Sequence, residues 1–346
     1  MSTQKVEAPP KTPTDKKPTL RAGAKKARGR EARWAIYLIA PTLVMLAIVI
    51  GYPVVSAIIM SFQKDAGLDP ATGLFVQGGF AGFQNYTHWL FQQCAGPNGT
   101  TISCPPGSLG SQFWGAVFVT FFFTVTTVIL ETILGIWFAL IMNRTFRGRG
   151  LVRAAILVPW AIPTAVTAKL WFFIFSTAGI ANVMLNTQIL WTSDEWASRF
   201  AVIIADTWKT TPFMALLILA GLQIIPEEVY EAAKMDGATT YQRFMRITLP
   251  LVKPALLVAI LFRTLDALRI YDLPQILTGG GGGTGNATTT LSILVVKQIR
   301  QGFNSASALS TITFLIIFLV AFIFVRFLGA NVVRTTENQQ KGVKAE

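Results

Sequence analysis

The chain is short of charge. Only 14% of its 346 residues are Asp, Glu, Lys or Arg, against about 25% in a typical soluble domain. With 52% hydrophobic residues and a mean hydropathy of +0.50, a water-facing globule is excluded. A disordered chain is excluded too, because disorder needs low hydrophobicity. There is one histidine, His88, and there are two cysteines, too few for a zinc-type cluster. No nucleophile–base pair accompanies that histidine, which argues against an intramembrane enzyme. No G-x-x-x-x-G-K-[ST] phosphate loop is present, so the chain is expected to bind no cofactor and hydrolyse no ATP itself. Acidic residues are scarce as well, 17 against 30 basic, for a formal net charge of +13. Such an excess fits nucleic-acid binding or a membrane protein with basic loops on one side, and the position of the charges decides.

What the chain does have is apolar length. Six segments meet the requirement of about 20 apolar residues for a membrane span. They run from Trp34 to about Phe62, from Phe113 to Met142, from about Ala154 to Phe175, from about Phe200 to Leu222, from about Pro254 to Leu277 and from Ala308 to Val325. Spans of this length are twice what a barrel strand needs, so helices are expected. The fold class is then all-α: a polytopic membrane protein with six transmembrane helices. Residues 1–33 read as a disordered basic tail, 34–328 as the membrane domain and 329–346 as a C-terminal tail.

The basic residues fix the expected orientation. The N-terminal tail, the loops around Arg144–Arg153 and Lys234–Lys253, and the C-terminal tail together hold 22, while the three opposite loops hold four. Under the positive-inside rule both termini lie in the cytoplasm of a multi-pass plasma- or inner-membrane protein. Nucleic acid then drops out as a partner, and lipid takes its place. The outer loop 63–112 carries Cys94 and Cys104, ten residues apart in a Gly/Pro/Asn/Ser-rich stretch. Outside the cytoplasm these either bridge or stay as two free thiols. The glycine run 278–286 lacks the lysine of a phosphate loop and reads as a flexible outer loop.

The most specific pattern lies in the loop 223–250. Pro226 suits a first helical position, and Glu227 and Glu228 favour a helix N-terminus. Gly237 can end that helix in the left-handed conformation. Thr239 and Gln242 match a capping box for a second helix, which Pro250 would end. Tyr241, Phe244, Met245 and Thr248 form one stripe at helical spacing. This is a helical hairpin with exposed apolar side chains, the mark of a partner site.

Glu231-Ala232-Ala233, then Gly237, then Ile247-x-Leu249-Pro250 resembles the EAA signature of ABC-importer permeases at every specified position. The surrounding pattern, from about Trp34 to Leu328, is similar to the MalF-type carbohydrate permeases, and to the six-span members that serve trehalose import in actinobacteria. The resemblance implies a type I ABC-importer permease fold. It implies a second, homologous permease, a cytoplasmic ATPase dimer that holds ATP and Mg, and an extracytoplasmic sugar-binding (lipo)protein. It also implies that Glu231, Ala232, Ala233, Met235, Asp236 and Gly237 contact the ATPase, and that the cargo is a disaccharide such as trehalose. Related permeases carry TGGGP where this chain extends its glycines and loses the proline.

Ionisable groups inside a span are by default functional candidates. Asp206 and Lys209 are i, i+3 and can neutralise each other. Arg263, Asp266, Arg269 and Asp272 alternate in sign and can do the same. Glu131 and Lys169, each alone in its span, either pair across helices or point into the pathway. Trp160, Trp171 and Trp208 are the aromatic faces within spans, available to pack or to stack on a sugar. Trp34 and Trp114 sit at span ends as interface anchors. Pro159 and Pro163 should break the third span. These buried charges also leave open a second function, an ion-coupled secondary transporter, for which the EAA hairpin would be useless.

Overall fold

The computed structural model describes residues 36–68, 73–96, 100–282 and 285–343. The basic tail 1–33, Trp34, part of the glycine run and the last three residues lie outside the described residues. Two compact units divide the chain, Met1–Ser56 and Ala57–Glu346. The first apolar helix, α1 (Ile36–Met60), contains a wide π turn at Ala47–Gly51. Pro53, which has no N–H to give to a helix ladder, follows that turn.

The 63–112 region departs from the all-helical expectation. Its described residues form three two-stranded antiparallel ribbons: β1 (Gln63–Lys64) with β4 (Gly79–Phe80), β2 (Gly67–Leu68) with β3 (Phe75–Val76), and β5 (Gln93–Ala95) with β6 (Thr101–Ser103). A short helix, α2 (Gln84–Leu90), sits among them. Cys94 and Cys104 are bridged across the last ribbon. Far-off residues hold this region in place. The Asp65 carboxylate accepts the backbone N–H groups of Asn304 and Ser305 at 2.7 and 3.0 Å. The fully buried Trp89 donates its indole N–H to the Ser305 carbonyl at 3.1 Å.

The helical bundle follows. In order come α3 (Phe113–Asn143), α4 (Arg149–Ala161), α5 (Thr164–Ile174), α6 (Ile180–Leu185) and α7 (Glu195–Leu222). After these come α8 (Glu227–Met235), α9 (Thr240–Ala267), α10 (Asp272–Thr278), α11 (Leu291–Ile299) and α12 (Phe303–Val343). The core lies along α3 and α7, where Ala139, Met142, Met214, Ala215 and Ile218 are buried together. Gly135 permits the approach, since a Cβ there would sit 3.0 Å from that of Met214. Small residues at such contacts let membrane helices pack closely.

Among the described residues, five helices are long and apolar enough to cross a membrane: α1, α3, α7, α9 and the Phe303–Arg326 part of α12. The expected third span is instead the pair α4 and α5, bent by 95°. The break falls at Ile162 and Pro163, both extended in ψ, because a proline pushes the residue before it out of the helical region. The expected fifth span, 254–277, is displaced. The long helix is α9, and the chain breaks after Ala267 before α10 begins. Four charges in that stretch flattened the apolar pattern and hid the break. The sixth span starts earlier than expected, at Phe303. The expected C-terminal tail is helical in backbone as far as Val343.

Candidate functional site

The hairpin forms from local rules. Pro226 is the N-cap, one position earlier than expected, and Glu227 and Glu228 occupy the first turn of α8. Gly237 takes φ +74°. The turn is closed by Gly237 N–H on the Lys234 carbonyl (3.1 Å) and Ala238 N–H on the Ala233 carbonyl (3.0 Å). Thr239 and Gln242 make the reciprocal capping box. Pro250 does not end the second arm. A π turn at Phe244–Thr248 widens the helix just before it. The missing proline N–H is tolerated there, and the helix runs on into the membrane as α9. Tyr230 Oη and Thr248 Oγ1, 3.1 Å apart, tie the two arms together.

Among the six predicted contact residues, Glu231, Ala232, Asp236 and Gly237 are exposed and Met235 is 89% exposed, while Ala233 faces inward. The expected stripe is divided: Tyr241 and Met245 are exposed, Phe244 is half-buried and Thr248 is buried.

The intramembrane charges meet at Arg263. Its Nε lies 2.5 Å from Glu131 Oε2 and its Nη2 3.0 Å from Glu131 Oε1. The same guanidinium pairs with Asp206, and its Nη1 lies 3.2 Å from Asp266 Oδ2. Arg263 and Glu131 are buried, and Asp266 is exposed. A planar fork of five N–H donors suits such a hub better than a lysine ammonium would. One arginine from α9 thus joins carboxylates from α3 and α7. Sequence reasoning missed Thr210, whose hydroxyl lies 2.5 Å from Glu131 Oε1 and 2.6 Å from the Asp206 carbonyl oxygen. Its i, i+4 spacing from Asp206 was the available signal.

Two expected pairings are therefore corrected. Glu131 does not meet Lys169, which is exposed and lies 5.5 Å over the Phe172 ring. Asp206 is neutralised by Arg263, and Lys209 instead donates to the Ile162 carbonyl at 2.8 Å. That carbonyl was freed by the break before Pro163. Of the self-paired series on the fifth span, Arg263–Asp266 and a longer Arg269–Asp266 contact at 3.9 Å form.

The aromatic faces also pair. Trp171 and Trp208 meet edge to face at 5.7 Å, and Trp171 stacks on Phe175. Trp160 stacks on Phe213 at 6.0 Å. Trp208 lines an apolar cavity of about 590 Å³ between α3, α4 and α7. The glycine run is tied at its described ends, where Thr288 and Thr289 hydroxyls donate to the Gly281 and Gly280 carbonyls. Lys297 Nζ donates to the Gly280 carbonyl as well, and burial lowers its pKa. Threonines thus staple the described start of this loop, at Gly280 and Gly281.

Comparison with known proteins places this architecture in one class. Residues 131–335 match the family described as binding-protein-dependent transport system inner membrane component. The trehalose/maltose transport system permease protein MalF of Thermococcus litoralis is 38% identical over 87% of this chain and 95% of its own length. The trehalose transport system permease protein SugA of Mycobacterium tuberculosis is 37% identical over 88% and 91%. In fold, the chain resembles a chain of a bacterial ABC transporter involved in the import of the acidic polysaccharide alginate, with a TM-score of 0.69, 21% identity and coverage of 88% and 99%. The chain belongs to the family of binding-protein-dependent transport system inner membrane components. It is a multi-pass membrane permease of the ABC-importer type, as the EAA pattern implied.

Proposed function

We propose that this chain is one of two permeases in an ATP-driven sugar importer and that it couples to a separate ATPase dimer through the 223–250 hairpin. The observation that carries the coupling role is the hairpin itself. It presents Glu231, Ala232, Met235 and Asp236 outward on a turn fixed at Gly237. A connector between two spans has no use for a methionine and a tyrosine held in the open. In this reading both termini are cytoplasmic, ATP and Mg bind the partner ATPase, and an extracytoplasmic binding protein delivers the cargo. The trehalose/maltose and trehalose permeases it is similar to favour a disaccharide cargo. ATP-driven closure of the ATPases would push the hairpin, and rigid-body rocking would expose the pathway to alternate sides.

An ion-coupled transporter loses its support here, because the buried charges are occupied with one another. The test is Glu231→Lys in the reconstituted complex. ATP-dependent uptake should be lost while ATP hydrolysis persists and the chain still inserts. Normal uptake, or uptake driven by a proton or sodium gradient without any ATPase, would overturn the reading.

A further inference from the structure

A second cavity, of about 690 Å³, lies between the ends of α3 and α7 and the inner side of the hairpin. Its wall changes character from one side to the other. Leu140 and Leu222, in the last turns of α3 and α7, form an apolar part. Arg144, Lys234 and Arg243 line the same cavity, against a single acid, Glu227. Among the described residues none of these three cations has an ion-pair partner. Arg243 reaches Thr240 Oγ1 through Nη2 at 3.2 Å, yet its Nε is buried with no acceptor. A buried donor left unmade is costly, and the acceptor that suits a group of cations is an anionic oxygen.

We propose that this cavity binds an anionic phospholipid, with the phosphate held by Arg144, Lys234 and Arg243 and an acyl chain lying against Leu140. Two features favour lipid over an acidic side chain of a soluble partner. The cationic and apolar parts belong to one continuous cavity, whereas an acidic side chain would leave the apolar part uncovered. The cavity also sits at the ends of two membrane-crossing helices, the depth at which headgroup phosphates lie and basic side chains attract them.

The test uses the intact importer complex. It is exchanged into nanodiscs of equal parts phosphatidylcholine and phosphatidylglycerol, re-extracted in mild detergent, and its retained lipids are counted by native mass spectrometry. Wild type should retain phosphatidylglycerol over phosphatidylcholine. Each charge removed should lower that ratio about five-fold, the factor expected for one basic residue at a membrane surface. Arg144→Gln with Arg243→Gln should therefore lower it about 25-fold, while Arg144→Lys with Arg243→Lys keeps it. If the double glutamine variant does not assemble, Lys234→Gln alone should give the five-fold loss, and no loss overturns the proposal. Equal retention of both lipids by wild type, or an unchanged ratio in the double glutamine variant, also overturns it. Displacement by millimolar inorganic phosphate would replace the lipid with a free anion. Retention by the permease pair but not by the full complex would assign the cations to the ATPase. Either result removes the lipid site.

Discussion

Arg263 and Glu131 stand 132 residues apart in the chain, whereas the Thr239 and Gln242 of the capping box stand three apart. Both sets of polar groups are satisfied, one inside the bundle and one at its end. The charge cluster needs α3, α7 and α9 already packed before any of its members has a partner. The hairpin needs only its own turn, cap and π bulge. Long-range pairing therefore makes the cluster a property of the whole bundle, and local pairing makes the hairpin nearly self-contained.

The largest test of that difference is Arg263→Ala. It leaves Glu131 and Asp206 buried without their cation, and removing one partner of a buried pair costs about 3–5 kcal/mol. The thermal midpoint of the detergent-solubilised complex should drop sharply. Adding Glu131→Gln and Asp206→Asn should recover part of the loss, and an unchanged midpoint in the single variant would dissolve the contrast. Next comes Gly237→Val, which forces a β-branched residue to φ +74° at about 1–2 kcal/mol. Sugar uptake should fall while membrane insertion and ATP hydrolysis persist; full uptake would show that the turn does not set the lever. Thr239→Ala removes one half of the capping box and should cost about 1 kcal/mol. Hydrogen exchange should report it as faster opening of the 238–243 turn alone, with the bundle unaffected.

The smallest effect lies in the 63–112 region. Burial lowers the His88 pKa, against a weaker opposing bond to the Gln93 carbonyl. Below the ordinary value of about 6.5 the unfolded chain takes up a proton that the folded one resists. Stability of this region should therefore fall as pH drops through about 6.5 and onward. His88→Gln should flatten that slope in limited proteolysis, and an equal slope in both would remove His88 as its cause.

Sequence reading reached what local chemistry dictates. The EAA hairpin, its glycine turn, its capping box and the break at Pro163 all follow from residues within a few positions of each other. The charge cluster was visible as a set of unusual residues, but its wiring was not. Helical spacing offered Asp206 a partner in Lys209, and the true partner lies on another helix. The fifth span was misplaced for a related reason: Arg263, Asp266, Arg269 and Asp272 blurred the apolar pattern that marks its end. The three ribbons of 63–112 were illegible because strands of two or three residues carry no alternation to detect.

The Asp65 clamp on the start of α12 has a consequence in time. Asp65 and Asn304 are 239 residues apart. At about 5–20 residues per second, the ribosome delivers the second about 12–48 s after the first. Until then the carboxylate has no helix to cap and Trp89 no carbonyl to reach. A nascent chain arrested before Ser305 should leave the 63–112 region open to protease, and one arrested well after it should not. The 63–112 segment is thus finished only when the start of α12 has been made, so synthesis of α12 times the closure of a region translated long before it.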